Sequence, residues 1–271
     1  MEHEILRIIV SLLGTSAAAY YDIFNRKNIP DLLLYSFLSI SLIFAIIDGT
    51  TRLAALGMGL IIGLLGYLFY RVGQIGMGDV IVFVSLSLLL PYPPSYLNTY
   101  KVPFILIVFF YTTLLFIIYV LVRFTPIVLR ERKKYKPKPW QVAYSVLMIA
   151  SYVLFLYVSS NLPIPNIIIK IVMGLLVAAS VFFTLFRDVI NRSMVEELPI
   201  DKIDDDEVIA IEYIDPEKVR KYSIPRVFRK EHAKRLNKHL KRLPVYTGLP
   251  MFLPFILVGL ILSLLLGMRM F

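Results

Sequence analysis

Long apolar runs dominate this 271-residue sequence and limit what it can fold into. A helix needs about 20 predominantly apolar residues to cross the hydrocarbon layer of a bilayer. Hydrophobic residues make up 58% of the chain and charged residues 18%, against roughly 45–50% and 25% in soluble domains. The sequence therefore predicts an all-α polytopic membrane protein with about eight transmembrane helices. The segments are 5–21, 32–47, 53–70, 75–90 (a short one), 102–122, 141–159, 166–186 and 249–268.

Composition excludes several kinds of chemistry. The chain has no cysteine, so disulfides, iron–sulfur clusters, thiolate zinc sites and cysteine nucleophiles are ruled out. Its three histidines leave little for a histidine-rich metal site, and we expect neither a metal nor another cofactor. The net charge of +10 is more typical of topology and contact with anionic lipid in a membrane protein than of nucleic-acid binding.

The distribution of Lys and Arg predicts the orientation in the membrane. With the N-terminus outside, 24 of the 29 basic residues fall in connections on the cytosolic side. The short loops alone give ten basic residues inside against five outside, and short loops are the ones that set orientation. We therefore expect both termini outside. The first apolar run lacks a basic start and a cleavage site, which indicates a retained helix.

Acidic residues in the membrane segments are candidates for function, because an ionisable group at mid-helix costs roughly 2.5–3.5 kcal/mol. Most acids before residue 189 belong to the N-terminus, to turns, to a basic linker or, for Asp31, to the first turn of a helix. Asp22 lies ~25 Å along the first helix, near the inner edge of the bilayer. Asp79 lies ~17 Å back from Leu90, where the proline run beginning at Pro91 must end the fourth helix. Both carboxylates should therefore reach the same cytosolic third of the membrane.

Two glycines, Gly76 and Gly78, precede Asp79. Glycine permits positive φ and close backbone approach, and irregular backbone survives at membrane depth only beside protein or a water-filled cavity. The run predicts a hydrated pocket at the start of the fourth helix. Two plainer interpretations stay open: Asp79 caps that helix at a small-residue contact, and Asp22 is an interfacial carboxylate paired with Arg26.

Two carboxylates without metal ligands suit aspartic proteolysis. One ionised acid takes a proton from water, while the other, protonated, donates to the scissile carbonyl. Two like charges held close together share a proton and titrate as a pair. The main alternative is a secondary transporter or ion channel, in which intramembrane acids relay protons, although no internal repeat is visible. A scaffold that gathers filament components without catalysis is a further alternative.

Two motifs resemble a known family. The Gly-x-Gly-Asp run ending at Asp79 resembles the signature of intramembrane aspartic peptidases. Asp22 and the residues after it resemble the first-aspartate motif of type IV prepilin peptidases and archaeal preflagellin peptidases; these residues are Arg26, Lys27, Ile29 and Pro30. The resemblance covers about residues 1–95.

The resemblance implies an enzyme that removes the short basic leader peptide from type IV pilin-like or archaellin precursors at the cytosolic membrane face. Asp22 and Asp79 would be catalytic, and Gly76 and Gly78 would shape the loop beside them. Bacterial members usually have a four-cysteine zinc element, methylate the new N-terminus and have a lysine where this chain has Ile81. These differences favour the archaeal, peptidase-only branch.

The predicted organisation has four regions. Residues 1–95 carry both aspartates, and 96–187 hold further transmembrane helices. The basic linker 123–140 lies within the second region and is expected to be solvated or in contact with lipid. Residues 188–248 form a cytosolic domain, and 249–271 form the last transmembrane helix.

The cytosolic domain is predicted to be a small α+β unit. The alternation in 207–214 favours a strand, and 224–243 is typical of a basic helix with one apolar side. An acidic cluster in this domain is a candidate binding site for the positively charged leader, the plainer interpretation being a solvated loop that balances nearby basic residues. Its members are Asp201, Asp204, Asp205, Asp206 and Glu207.

Overall fold

A computed structural model gives the conformation of most of the chain. The residues it describes are 2–25, 29–72, 75–97, 102–131, 135–160, 167–205, 207–237, 240–248 and 250–267. They fall into two compact units, Met1–Pro91 with Met194–Leu253, and Tyr92–Ser193 with Pro254–Phe271. We call the part of the first unit at 194–252 the insert.

Helices dominate both units among the described residues. In chain order, the helices and strands are α1 (Glu2–Phe24), α2 (Asp31–Ile47), α3 (Arg52–Arg71), α4 (Met77–Leu89), α5 (Phe104–Glu131), α6 (Pro139–Ser160), α7 (Ile167–Ser193), β1 (Val195–Pro199), α8 (Pro216–Tyr222), α9 (Lys230–Leu236), β2 (Arg242–Tyr246) and α10 (Leu253–Leu266).

The first four helices form a packed group in the first unit. Short connections join them, and helices joined this way are antiparallel neighbours. Helix α4 packs against α1, α2 and α3. As the sequence predicts, α2 begins at Asp31 directly after Pro30, and α4 ends just before Pro91.

A charged cluster joins α1 to the end of α2. Arg7 Nη2 lies 2.9 Å from Asp48 Oδ2 and donates to the carbonyl oxygen of Phe44 at 3.0 Å. Asp48 also accepts hydrogen bonds from the hydroxyls of Thr50 at 2.7 Å and Thr51 at 2.8 Å. The start of α1 therefore lies beside the end of α2, as expected for antiparallel helices.

Glycines let α3 approach α4 closely. A Cβ built on Gly59 would lie 2.8 Å from Leu88 Cδ2, and one on Gly66 would lie 2.6 Å from Val80 Cγ1. Real Cβ atoms do not come this close to a neighbour. The close contact between α3 and α4 is possible only because Gly59 and Gly66 have no side chain. This contact fixes the position of α4.

The second unit contains α5, α6, α7 and most of α10. Helix α7 packs against α5 and α6, and α10 approaches α5 closely at Gly259, where an added Cβ would clash with Thr112. Lys138 and Asp188 form an ion pair at 2.8 Å. Helix α7 continues to Ser193, so the first six residues of the predicted 188–248 domain are helical extensions of it.

Each of the eight predicted segments overlaps a helix. By length and composition, four helices could cross a membrane: α3, α5, α6 and residues 169–193 of α7. Helices α2, α4 and α10 are apolar but shorter. The helical character of the prediction is confirmed, whereas the count of eight spans stays a prediction.

The insert has a small core around a two-stranded antiparallel sheet. Strand β1 pairs with β2, with Val195 opposite Tyr246 and Pro199 opposite Arg242. The core side chains buried beside this sheet are Ile200, Ile203, Ile209, Ile224, Phe228, Leu236, Leu243 and Val245. The insert is therefore a small α+β unit, as predicted.

Both specific elements predicted for the insert are wrong in extent. Segment 207–214 makes only isolated bridges, Val208 with Val227 and Ile209 with Val245, before a single 3₁₀ turn. The predicted helix at 224–243 is reduced to α9. Residues 226–228 bond to the 207–209 segment instead of continuing a helix, and Leu243 belongs to β2.

Candidate active site

Asp22 lies two residues before the end of α1, and its side chain is buried, with 5% of its surface exposed. It shares the buried side of α1 with Arg7, Ser11 and Thr15. The spacing of four residues from Arg7 to Ser11 to Thr15 repeats the helical turn, so these side chains line one face. Several large apolar residues of α1 point outwards instead, with Leu13 66% exposed. Polar side chains in membrane helices face the protein interior in this way.

Asp79 is the third residue of α4, and its side chain is half-buried. Its Oδ2 accepts a hydrogen bond from the backbone N–H of Gly76 at 3.1 Å. This is a helix-capping contact, so the capping interpretation of Asp79 is correct. It does not exclude a chemical role, because a carboxylate has lone pairs for several further partners.

The two glycines before Asp79 matter because they leave room for neighbouring atoms, not because they adopt an unusual backbone conformation. Gly76 has an ordinary φ of −76°, and among the described residues Gly267 is the glycine with positive φ. A Cβ on Gly76 would lie 3.3 Å from Asp79 Oδ2, and one on Gly78 would lie 3.1 Å from Ile29 Cδ1. The absence of a side chain at Gly76 therefore leaves room for the Asp79 carboxylate to fold back on the helix start. The absence of one at Gly78 lets α4 approach Ile29, which follows α1 in the chain.

Asp22 and Asp79 lie at the same end of the four-helix group. Helix α1 packs against α4, and three antiparallel connections between them make the two helices run in opposite directions. Asp22 is near the C-terminal end of α1, and Asp79 is near the N-terminal end of α4. The contact between Gly78 and Ile29 agrees with this placement. The Arg7–Asp48 pair marks the opposite end.

A segment from the far end of the sequence reaches this site. The backbone N–H of Leu253 donates to Asp22 Oδ2 at 3.3 Å. The ring of Phe252 lies 6.1 Å from the ring of Phe83, one helical turn after Asp79. Sequence reasoning missed this segment, because a backbone donor in a short connection leaves no signal in the choice of residue.

The acidic cluster of the insert lies in varied surroundings. Asp201, Asp204 and Asp205 are exposed, whereas Glu207 is half-buried. Asp205 accepts a hydrogen bond from the backbone N–H of Lys230 at 2.6 Å, and the Lys230 ammonium lies 3.8 Å from its other oxygen.

Two of the predicted residues lie outside the part of the chain that the structure describes, and a further expectation concerns metal ligands. Asp206 lies outside the described residues, and so does Arg26, the predicted partner of Asp22. Within the described part of the chain, no group of three or more His, Asp or Glu side chains is arranged to hold a metal ion.

The geometry first defines a class of protein, in which neighbouring antiparallel helices bring two aspartates to one end of an apolar helical unit. Residues 9–121 match the model of the type IV leader peptidase family. Over this segment, which holds both aspartates and continues into α5, the chain is similar to the type IV leader peptidase family. The family predicted from the two motifs is thereby confirmed.

The family match and the helices together indicate a multi-pass membrane protein, since four helices have the length and composition to span a bilayer. No curated protein and no solved structure matches the chain.

Proposed function

We propose that this protein is a membrane aspartic endopeptidase that cleaves the short basic leader from type IV pilin-like or archaellin precursors at the cytosolic membrane face. The match to the type IV leader peptidase family over residues 9–121 supports a leader peptidase. The observation that carries the finer proposal is the placement of Asp22 and Asp79 on packed, oppositely directed helices at one end of the first unit. The excess of basic residues in the connections predicted to be cytosolic supports the cytosolic side for that end.

In the proposed reaction, one carboxylate of the pair is ionised and the other is protonated. The ionised carboxylate takes a proton from a water molecule as its oxygen attacks the scissile carbonyl carbon. The protonated carboxylate donates to the carbonyl oxygen, and collapse of the tetrahedral intermediate breaks the C–N bond and returns a proton to the leaving nitrogen. The Gly76 N–H holds Asp79 at the start of α4, which limits the rotation of that carboxylate.

The leader is the basic part of the precursor, and the insert offers a complementary charge. We propose that Asp201, Asp204 and Asp205, with their neighbours Asp206 and Glu207, attract it. Neutralising the five acids should raise KM for the precursor at low salt and have less effect at high salt, where charges are screened. Unchanged cleavage at low salt would remove this part of the proposal.

The dyad is tested with purified protein in detergent and a pilin-like precursor, by measuring product size over time. Asp22→Asn and Asp79→Asn should each lower the cleavage rate by at least about 100-fold, the usual contribution of a general acid or base. Asp31→Asn is the matched control, because Asp31 is an exposed acid at the start of α2, at the same end of the helix group. It should cleave at the wild-type rate. Cleavage at that rate by either dyad variant would refute the assignment.

One observation favours a second candidate, a secondary transporter or ion channel. The buried polar side of α1 extends from Arg7 through Ser11 and Thr15 to Asp22, and such a stripe suits proton or ion passage. Proton flux into liposomes containing the protein separates the candidates. Flux that Asp22→Asn abolishes, with no cleavage of any precursor, would favour transport over proteolysis.

A further inference from the structure

The carboxylate of Asp22 lies against the chain that leaves the insert. Leu253 donates its backbone N–H to Asp22 Oδ2 at 3.3 Å, and both residues are buried, with 5% and 1% of their surfaces exposed. The preceding residue, Phe252, places its ring 6.1 Å from that of Phe83 on α4. Two consecutive residues thus contact the two helices that carry the aspartates.

The insert constrains the position of this segment. Gly248 donates its N–H to the carbonyl oxygen of Met194 at 3.1 Å, so the chain enters and leaves the insert at one point. The approach is close, because a Cβ on Gly248 would lie 3.1 Å from Met194 Cα. Five steps along the chain from Gly248 reach Leu253, a span of at most about 17 Å. The folded insert therefore limits where the Leu253 N–H can lie.

A buried backbone donor needs a partner, and a carboxylate that accepts such a bond loses freedom to rotate. We propose that the Leu253 N–H is a positioning group for Asp22, and that the insert holds it in place. This inference rests on the proposed peptidase function. It assigns the insert a part in setting the geometry of the reaction, besides any part in attracting the leader. The residue acts through its backbone, and its side chain has no role in the proposal.

An amide-to-ester substitution at Leu253 gives the sharpest test. Incorporation of leucic acid at this position removes the N–H and keeps the leucine side chain. We expect kcat for leader cleavage to fall about 10- to 100-fold, the scale expected when a reacting group is misplaced by about 1 Å, while KM stays within twofold. Leu253→Pro, which also lacks the N–H, should lower kcat in the same way.

The matched control is the amide-to-ester substitution at Val258, made with the hydroxy acid of valine; Val258 is 43% exposed and lies in the same helix. It removes the backbone N–H of a residue five positions further along the chain than the Asp22 donor, so kcat should stay within twofold of wild type. A Leu253 ester with wild-type kcat would overturn the proposal, and so would a loss of equal size in the Val258 ester, since the effect would then be general to the helix.

The role of the insert has its own test. Two glycines inserted after Gly248 lengthen the chain between the insert and Leu253, and they should lower kcat with little change in KM. Wild-type kcat in this variant would overturn the role of the insert. Failure of the peptidase proposal looks different, because wild type itself would then cleave no precursor, or would cleave as well after Asp22→Asn.

Discussion

The contact between α3 and α4 allows a quantitative prediction for Gly66→Ala. The added methyl carbon would lie 2.6 Å from Val80 Cγ1 and 3.1 Å from Val80 Cγ2. Carbon atoms in contact prefer about 3.5–4.0 Å, so the helices must separate by roughly 1 Å or Val80 must rotate. Val80 is only 5% exposed and has little space for rotation. Because Val80 follows Asp79 directly, a shift of α4 also moves the proposed site.

Two opposing effects set the size of the change. Replacing glycine by alanine inside a helix stabilises it by about 1 kcal/mol. Overpacking a filled contact costs about 1–3 kcal/mol. The net expectation for Gly66→Ala is a loss of up to about 2 kcal/mol in the free energy of unfolding. Gly57→Ala gains the helix contribution without the cost, because nothing lies within 4 Å of the added Cβ. Gly63→Ala behaves similarly, with its nearest neighbour at 3.5 Å.

Unfolding in mixed detergent micelles, followed by loss of helical circular dichroism as the denaturing detergent increases, measures these differences. Gly57→Ala and Gly63→Ala should unfold at or above the wild-type midpoint, and Gly66→Ala should unfold below it. Adding Val80→Ala to Gly66→Ala should recover part of the loss, because it removes the methyl groups that clash. Equal midpoints for Gly66→Ala and Gly57→Ala would refute the reasoning from close packing.

Two further predictions concern polar groups of the first unit. A hydrogen bond from the Thr50 hydroxyl, together with smaller contributions that include Arg7, holds the pKa of Asp48 well below its ordinary value of 3.8, although burial opposes this. Because the folded-state pKa is lowered, the ionised Asp48 stabilises the folded protein above about pH 4, and this stabilisation is lost as the pH falls below that value. Thermal unfolding measured between pH 3 and 6 should show a loss of stability at the acid end in wild type. The loss should be much smaller in Asp48→Asn. The Thr15 hydroxyl is buried without a hydrogen-bond partner among the described residues, so Thr15→Val should leave stability unchanged or raise it by up to about 1 kcal/mol. A clear loss in the same unfolding assay would indicate a partner such as a bound water molecule.

Local signals predicted the helical part of the fold well. Each of the eight segments predicted from apolar length overlaps a helix, and the prolines at 30 and 91 marked where α2 begins and α4 ends. The insert was predicted less well because its pairing is not local. Phe228 donates its backbone N–H to the carbonyl oxygen of Glu207, a partner that lies 21 positions away. Neither the periodicity nor the charge of 224–243 contains that information.

The candidate site likewise has a part that local sequence signals predicted and a part that they could not predict. Asp22 and Asp79 could be selected because carboxylates are rare in apolar segments, and the turn before Asp79 has a recognisable sequence. The role of Gly76 and Gly78 was predicted only in part. Both glycines allow close approach of neighbouring atoms, but Gly76 does not have the positive φ that the sequence allowed. Leu253 could not be found from sequence, because every residue except proline carries the same backbone donor.

The hydrogen bond between Leu253 and Asp22 joins residues 231 positions apart, which sets an order of events during translation. Helix α1 leaves the ribosome well before the Leu253 donor is made. At about 5–20 residues per second, the interval is roughly 10–50 s. A nascent chain that ends before Leu253 can already contain α1 and α4, yet it lacks the group proposed to orient Asp22. A nascent peptidase of this design would gain full activity only after Leu253 has been made and has reached Asp22.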